Sequence, residues 1–98
     1  MSLEFLELGD SDYDKIVIFI HGWKGNKHSF ESKSSIMKLS RAKWFFPQAP
    51  YKIGEKNNEY SWACENPDGT FDVNKTINLF TEFITDNILS LVDSKKVF

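Results

Sequence analysis

Ninety-eight residues make at most one domain. With 41% hydrophobic and 15% aromatic residues the chain can fill a core, which excludes wholesale disorder. A net charge of −2, spread along the chain, excludes the basic block that nucleic acid or anionic membranes favour, and one cysteine, Cys64, excludes an intrachain disulfide framework or a cysteine-cluster zinc site.

The amino-terminal stretch carries Glu4, Glu7 and Asp10 among its apolar residues, unlike the basic-then-apolar layout of a signal peptide. Residues 3–8 alternate apolar and charged side chains and predict a strand. Residues 9–14 are rich in Gly, Asp and Ser and predict a turn, because those side chains bond their own backbone. Residues 15–20, Lys-Ile-Val-Ile-Phe-Ile, hold five apolar residues in a row. Such a run predicts a strand buried on both faces, as in the middle of a parallel sheet. It is far too short to span a membrane. A cytoplasmic, reducing setting fits these features.

His21-Gly22-Trp23-Lys24-Gly25 breaks that strand with two glycines. A helical stretch is expected over residues 30–40 and a strand over 42–46, stopped by Pro47. Residues 47–69 hold all three prolines and two of the five glycines, so a long loop is expected, and loops of that length are usually functional. Asp72 is placed to cap a helix over residues 73–92, whose Ile77, Phe80, Ile84, Ile88 and Leu91 recur every three or four residues as one core-facing stripe. Val97 and Phe98 read as the start of another strand. Alternation of strands and helices predicts an α/β domain with a mostly parallel sheet and crossover helices.

Three segments resemble the α/β-hydrolases. The run Ile16-Val17-Ile18-Phe19-Ile20-His21-Gly22-Trp23-Lys24-Gly25 resembles their apolar strand entering a His-Gly loop that forms part of the oxyanion hole. Trp44-Phe45-Phe46-Pro47-Gln48-Ala49-Pro50 resembles the strand and Pro-x-Ala-Pro segment of the phospholipase/carboxylesterase branch, which includes acyl-protein thioesterases. Ser61-Trp62 stands where that branch has a Ser-Trp pair. Two departures are visible. The branch often has Leu-Gly-Asp after His-Gly, and the segment from Lys52 to Tyr60 is polar where a greasy acyl tunnel would be apolar.

The resemblance implies that residues 1–98 form the amino-terminal half of a single α/β-hydrolase domain, with an incomplete sheet. It implies an oxyanion-hole loop at His21, Gly22 and Trp23, with the Trp23 backbone N–H as donor, Gly22 permitting the turn and His21 bracing it. Ser61 and Trp62 are candidates for lining the substrate cleft. The parent activity would be hydrolysis of carboxylic esters or thioesters by a serine hydrolase, with no cofactor and no metal. No Gly-x-Ser-x-Gly occurs in the 98 residues, so the serine nucleophile, the Asp and the catalytic His are expected beyond Phe98 and the chain alone is expected to be inactive. The expected partners are a small-molecule ester or thioester and, through an unpaired sheet edge, a second copy of the chain. The competing reading is a non-catalytic α/β module that binds a ligand or partner through the loop from Lys52 to Gly69.

Other chemistry-bearing residues have plainer readings. Ser35-Ile36-Met37-Lys38 matches the Ser-x-x-Lys of β-lactamases, and Ser40 with Lys43 repeats the spacing, but the supporting Ser-Asp-Asn and Lys-Thr-Gly elements are missing. His28 reads as a solvated loop residue, and two histidines without a third ligand make no zinc site. Cys64 reads as a half-buried small residue.

Overall fold

The computed structural model describes residues 2–9, 12–37, 39–54, 58–91 and 96–97. Its central sheet is built from β1 (Phe5–Gly9), β2 (Lys15–Ile18), β3 (Ala42–Pro47) and a short last strand, Lys96–Val97. They lie in the order β1, β3, β2 and then Lys96–Val97. β1 runs antiparallel to β3, with Leu6 opposite Phe46 and Leu8 opposite Trp44. β2 is parallel to β3, with Val17 opposite Trp44, and parallel to Lys96–Val97, with Ile16 opposite Val97.

The segment expected to be a long loop instead folds into two antiparallel ribbons. β4 (Tyr51–Lys52) pairs with β5 (Tyr60–Ser61), and β6 (Cys64–Glu65) pairs with β7 (Phe71–Asp72). The last strand, Lys96–Val97, is β8. Between Lys33 and Ile36 lies a single helical turn, α1, and α2 spans Asn74–Phe83.

These facts correct the expected fold class. The sheets are mixed and antiparallel, their strands are short, and among the described residues one helix exceeds a single turn, so the mostly parallel sheet with crossover helices does not form. Two local causes are visible. The helix expected over residues 30–40 is rich in serine, and Ser34 and Ser35 donate their hydroxyls to the carbonyls of Glu31 and Ser32, competing with helix propagation. Residues 47–72 are punctuated by Pro, Gly, Asn and Asp, and among the described ones the backbone pairs in two short ribbons. One turn is fastened by Asp68, whose carboxylate accepts the Thr70 N–H at 3.0 Å. Lys38 of the Ser-x-x-Lys motif and Phe98 lie outside the described residues.

β2 forms where a strand was expected but is shorter, Lys15–Ile18 in place of residues 15–20, and Ile20 beyond it is 51% exposed. The strand lies inside the sheet with a parallel neighbour on each side, and it is buried on both faces. Ile16 joins Leu3, Phe45, Leu79, Phe83 and Ile88 on one face, while Val17 joins Ala42, Trp44 and Phe46 on the other. The first face is covered by α2, and Phe83 sits edge-on to both Phe5 and Phe45, with ring centroids 5.3 and 6.2 Å apart.

The stripe predicted for the long helix is rotated. Thr76, Leu79 and Phe83 are the buried positions of α2, whereas Ile77 is exposed. Beyond Phe83 the helix loosens into a π turn, Ile84–Ile88, then a 3₁₀ turn, Leu89–Leu91. The π turn inserts one extra residue, so Phe83 and Ile88 both reach the core across a spacing of five that regular helical periodicity cannot produce. The N-cap of this helix is Val73, one residue past the expected Asp72, whose carboxylate accepts the Asn74 N–H at 2.8 Å from just outside the helix. No helix among the described residues is long and apolar enough to cross a membrane.

Glycine is required where β1 meets β3. Gly9 has φ +121°, and a Cβ there would collide with the Ala42 carbonyl oxygen.

Candidate functional site: the loop at the carboxyl end of β2

The hydrogen bonding of β2 to β3 continues past Ile18, with the Phe19 N–H donating to the Phe45 carbonyl at 2.9 Å. The chain then turns through His21 to Gly25. The turn is closed by the Gly25 N–H on the Gly22 carbonyl at 3.0 Å and tied to β5 by two further bonds. Lys24 N–H donates to the Tyr60 carbonyl, and Tyr60 N–H donates to the Gly25 carbonyl, each at 3.0 Å.

His21 is the centre of this arrangement and is 4% exposed. Its Nε2 accepts the backbone N–H of Ala49 at 3.0 Å, which requires a lone pair on that nitrogen. The ring proton therefore sits on Nδ1, 2.7 Å from the Gly22 carbonyl oxygen. Burial holds the imidazole below its ordinary pKa of 6.5, outweighing the hydrogen bond to Gly22 that acts the other way. Both ring nitrogens are engaged, so His21 braces the loop and is not placed to move a proton.

Trp62 completes the clamp. Its ring stacks on the His21 imidazole with centroids 5.0 Å apart, and its Nε1–H donates to the His21 carbonyl at 2.8 Å. The Thr76 hydroxyl of α2 donates to the Trp62 carbonyl, so the clamp is anchored to the helix as well as to both loops that follow β2 and β3. Gln48, also buried, links Glu4 to the backbone of Lys27.

The glycine that this loop needs is Gly25. A Cβ there would stand 2.9 Å from Ser29 Oγ and 3.0 Å from His21 Nδ1. At Gly22 a Cβ would meet nothing within 4 Å, and its φ is not left-handed, so the turn does not depend on Gly22. The left-handed residue of the turn is Lys24, at φ +69°.

Trp23 lies at the tip, 68% exposed, and its backbone N–H makes no hydrogen bond to any described residue. Among the described residues the backbone N–H groups of His21 and Gly22 likewise make no hydrogen bond, so the loop presents unengaged donors at the carboxyl end of an interior strand, with that of Trp23 at the exposed tip.

Two hollows flank the loop. One is a cleft of about 330 Å³ lined by Trp23, both ribbons and the side chains of Tyr51, Cys64 and Phe71. The other is an apolar hollow of about 360 Å³ formed by Ile20, Trp62, Ile77 and Phe80. The two cleft candidates divide between them. Ser61 lines the first hollow, but its hydroxyl is engaged with Ala63, accepting its N–H at 3.1 Å and donating to its carbonyl at 2.8 Å. Trp62 lines the second and serves mainly as the clamp. Burial raises the pKa of Tyr51 in the first cleft, with Cys64 and Asp72 adding to the effect. Sequence reasoning missed Gln48, Tyr51, Phe71 and Thr76, whose parts depend on contacts between distant segments. His28 is a surface residue, as expected, 3.4 Å from Glu31.

No protein-family profile, curated protein or solved structure matches the chain. The resemblance to the α/β-hydrolases therefore rests on the residues quoted above. Among the described residues no group of three or more His, Cys, Asp or Glu could hold a metal ion.

Proposed function

We propose that the His21–Gly22–Trp23 loop is the oxyanion-binding loop of a serine hydrolase acting on carboxylic esters or thioesters, in which the nucleophile, acid and base are supplied from outside these 98 residues. The observation that carries this reading is the unengaged Trp23 N–H, held at the end of a buried strand by the His21–Trp62 clamp. It rests on this loop and not on the sheet as a whole.

Hydrolysis of an ester or thioester passes through a tetrahedral oxyanion. A backbone donor fixed beforehand stabilises that charge without reorganising during the reaction, and removing one such donor typically costs about 10²–10³ in kcat. The clamp supplies the fixing: His21, Trp62 and Thr76 lock the strand end, while Trp23 itself stays open to a reacting carbonyl. The chemistry asks for no cofactor. The lone, free Cys64 suits a reducing, cytoplasmic setting. The short pairing of β2 with β8, two residues long, supports self-association of copies along that side of the sheet.

The test is the coding sequence after Phe98 and the protein it encodes. An apolar strand running into Gly-x-Ser-x-Gly is expected, with fluorophosphonate labelling of that serine in the extended chain. Trp23→Pro in the extended chain, which deletes the donor, is expected to lower kcat by about 10²–10³. A stop codon directly after Phe98, or an extension with no reactive serine, overturns the reading and favours a non-catalytic binding module.

A further inference from the structure

The cleft beside the loop has walls that its position in the sheet does not explain. All four ribbon strands contribute to it: Tyr51 and Lys52 from β4, Ser61 from β5, Cys64 and Glu65 from β6, and Phe71 from β7, and Trp23 of the loop also lines it. Trp23 and Phe71 are 68% and 65% exposed. Leaving two large rings in water forgoes the gain that burial would bring, and both rings line the same opening.

From this juxtaposition we propose that the cleft between the two ribbons binds a planar aromatic group, and that the substrate is an aryl ester or thioester. The inference rests on the oxyanion-loop reading for the reacting bond, since Trp23 belongs to both loop and cleft. Three features select a flat aromatic ligand over an alkyl chain. Trp23, Tyr51 and Phe71 bring three rings to one cleft; Lys24 and Lys75 lie over one face of Trp23 and Tyr51, and the remaining faces and edges pair best with another ring in offset or edge-to-face contact. Cys64 lines the same hollow, and sulfur packs favourably against ring edges. Lys52 and Glu65 set charge in the wall, where a long alkyl chain would have to lie against it. The volume, about 330 Å³, is at the lower end of small-ligand sites and suits one ring system. The other hollow also has two rings, Trp62 and Phe80, but they pack edge-on against each other 6.1 Å apart and Trp62 is stacked on His21, so that face is flatter and its rings are already partnered.

Phenyl acetate and hexyl acetate have the same number of carbons and differ in the flat ring. Titrated into the 98-residue chain and followed by ¹⁵N–¹H NMR, phenyl acetate is expected to shift the Trp23 indole and the Phe71 and Cys64 amides. The indole of buried Trp44 serves as the internal control. Hexyl acetate is expected to bind at least fivefold more weakly at these positions. Phe71→Ser, at an exposed site, is expected to weaken phenyl acetate binding at least fivefold, and Phe71→Tyr to retain it. Equal binding of the two esters, shifts confined to the Ile77–Phe80 face, or no shift at all overturns the proposal. The two readings fail separately. A labelled serine in the extended chain without preference for phenyl acetate refutes the aromatic cleft alone. Preference for phenyl acetate with no reactive serine in the extended chain refutes the hydrolase reading alone.

Discussion

The β2–β3 layer and the ribbon region from Tyr51 to Asp72 are held together by different physics. In the first, Ile16, Val17, Trp44, Phe45 and Phe46 are almost wholly removed from water, and parallel pairing joins segments far apart in the chain. In the second, the strands are two residues long, and turns fastened by Asp68 and Ser61 do the joining. A hydrophobic layer stabilises in proportion to the area it buries, whereas a turn contributes about one hydrogen bond at a time. The candidate site lies on the seam, with its rigid donor loop on the layer and its cleft walls on the ribbons. Fixed chemistry on a packed scaffold beside adaptable recognition on loops is a common division of labour.

Substitutions can break or sharpen this contrast. The largest effect is expected in the layer. Phe45→Ala removes a buried ring that packs against Phe5 and Phe83 and is expected to cost about 3–5 kcal/mol, read by denaturant unfolding.

At the seam, His21→Ala leaves the buried Ala49 N–H without its acceptor and is expected to cost about 1–3 kcal/mol. The same residue sets a pH response. Because its folded pKa lies below the unfolded value of 6.5, its contribution is complete above 6.5 and is lost as pH falls from 6.5 toward the lowered folded value. Unfolding midpoints measured across that range are expected to drop with falling pH, and His21→Ala is expected to flatten the slope. An unchanged slope in the variant would show that His21 is not the group responsible.

The smallest effect is expected in the ribbons. Phe71→Ser at a mostly exposed position should change stability by no more than about 0.5 kcal/mol, so its effect on ligand binding can be read directly.

Local patterns in the sequence translated well where burial alone decides. The apolar run from Ile16 announced a strand covered on both sides, which holds as far as Ile18, and Asp72 announced a helix start to within a residue or two, because each signal is carried by neighbouring residues. The helical stripe was legible only in part. Ile88 is in the core as expected, but Ile77 faces solvent, since the π turn changes the phase of the helix between Phe83 and Ile88. The serine-rich stretch around Ser34 and Ser35 had apolar spacing fit for a helix, yet local hydroxyl bonds held it to one turn.

What the sequence determined by itself was the buried strand, the glycine-bearing loop after it and the lack of a serine elbow, because these are properties of contiguous residues. The direction in which each strand pairs was decided only by tertiary structure, and with it the mixed sheet in place of a mostly parallel one. So was the clamp of His21 by Ala49, Trp62 and Thr76, and so was the meeting of Trp23 with Phe71 across one cleft. The contacts of His21 with Ala49 and Trp62, and the meeting of Trp23 with Phe71, bring together residues 28 to 48 positions apart, and pairing at that separation is set by how the chain packs, which no short stretch of sequence encodes.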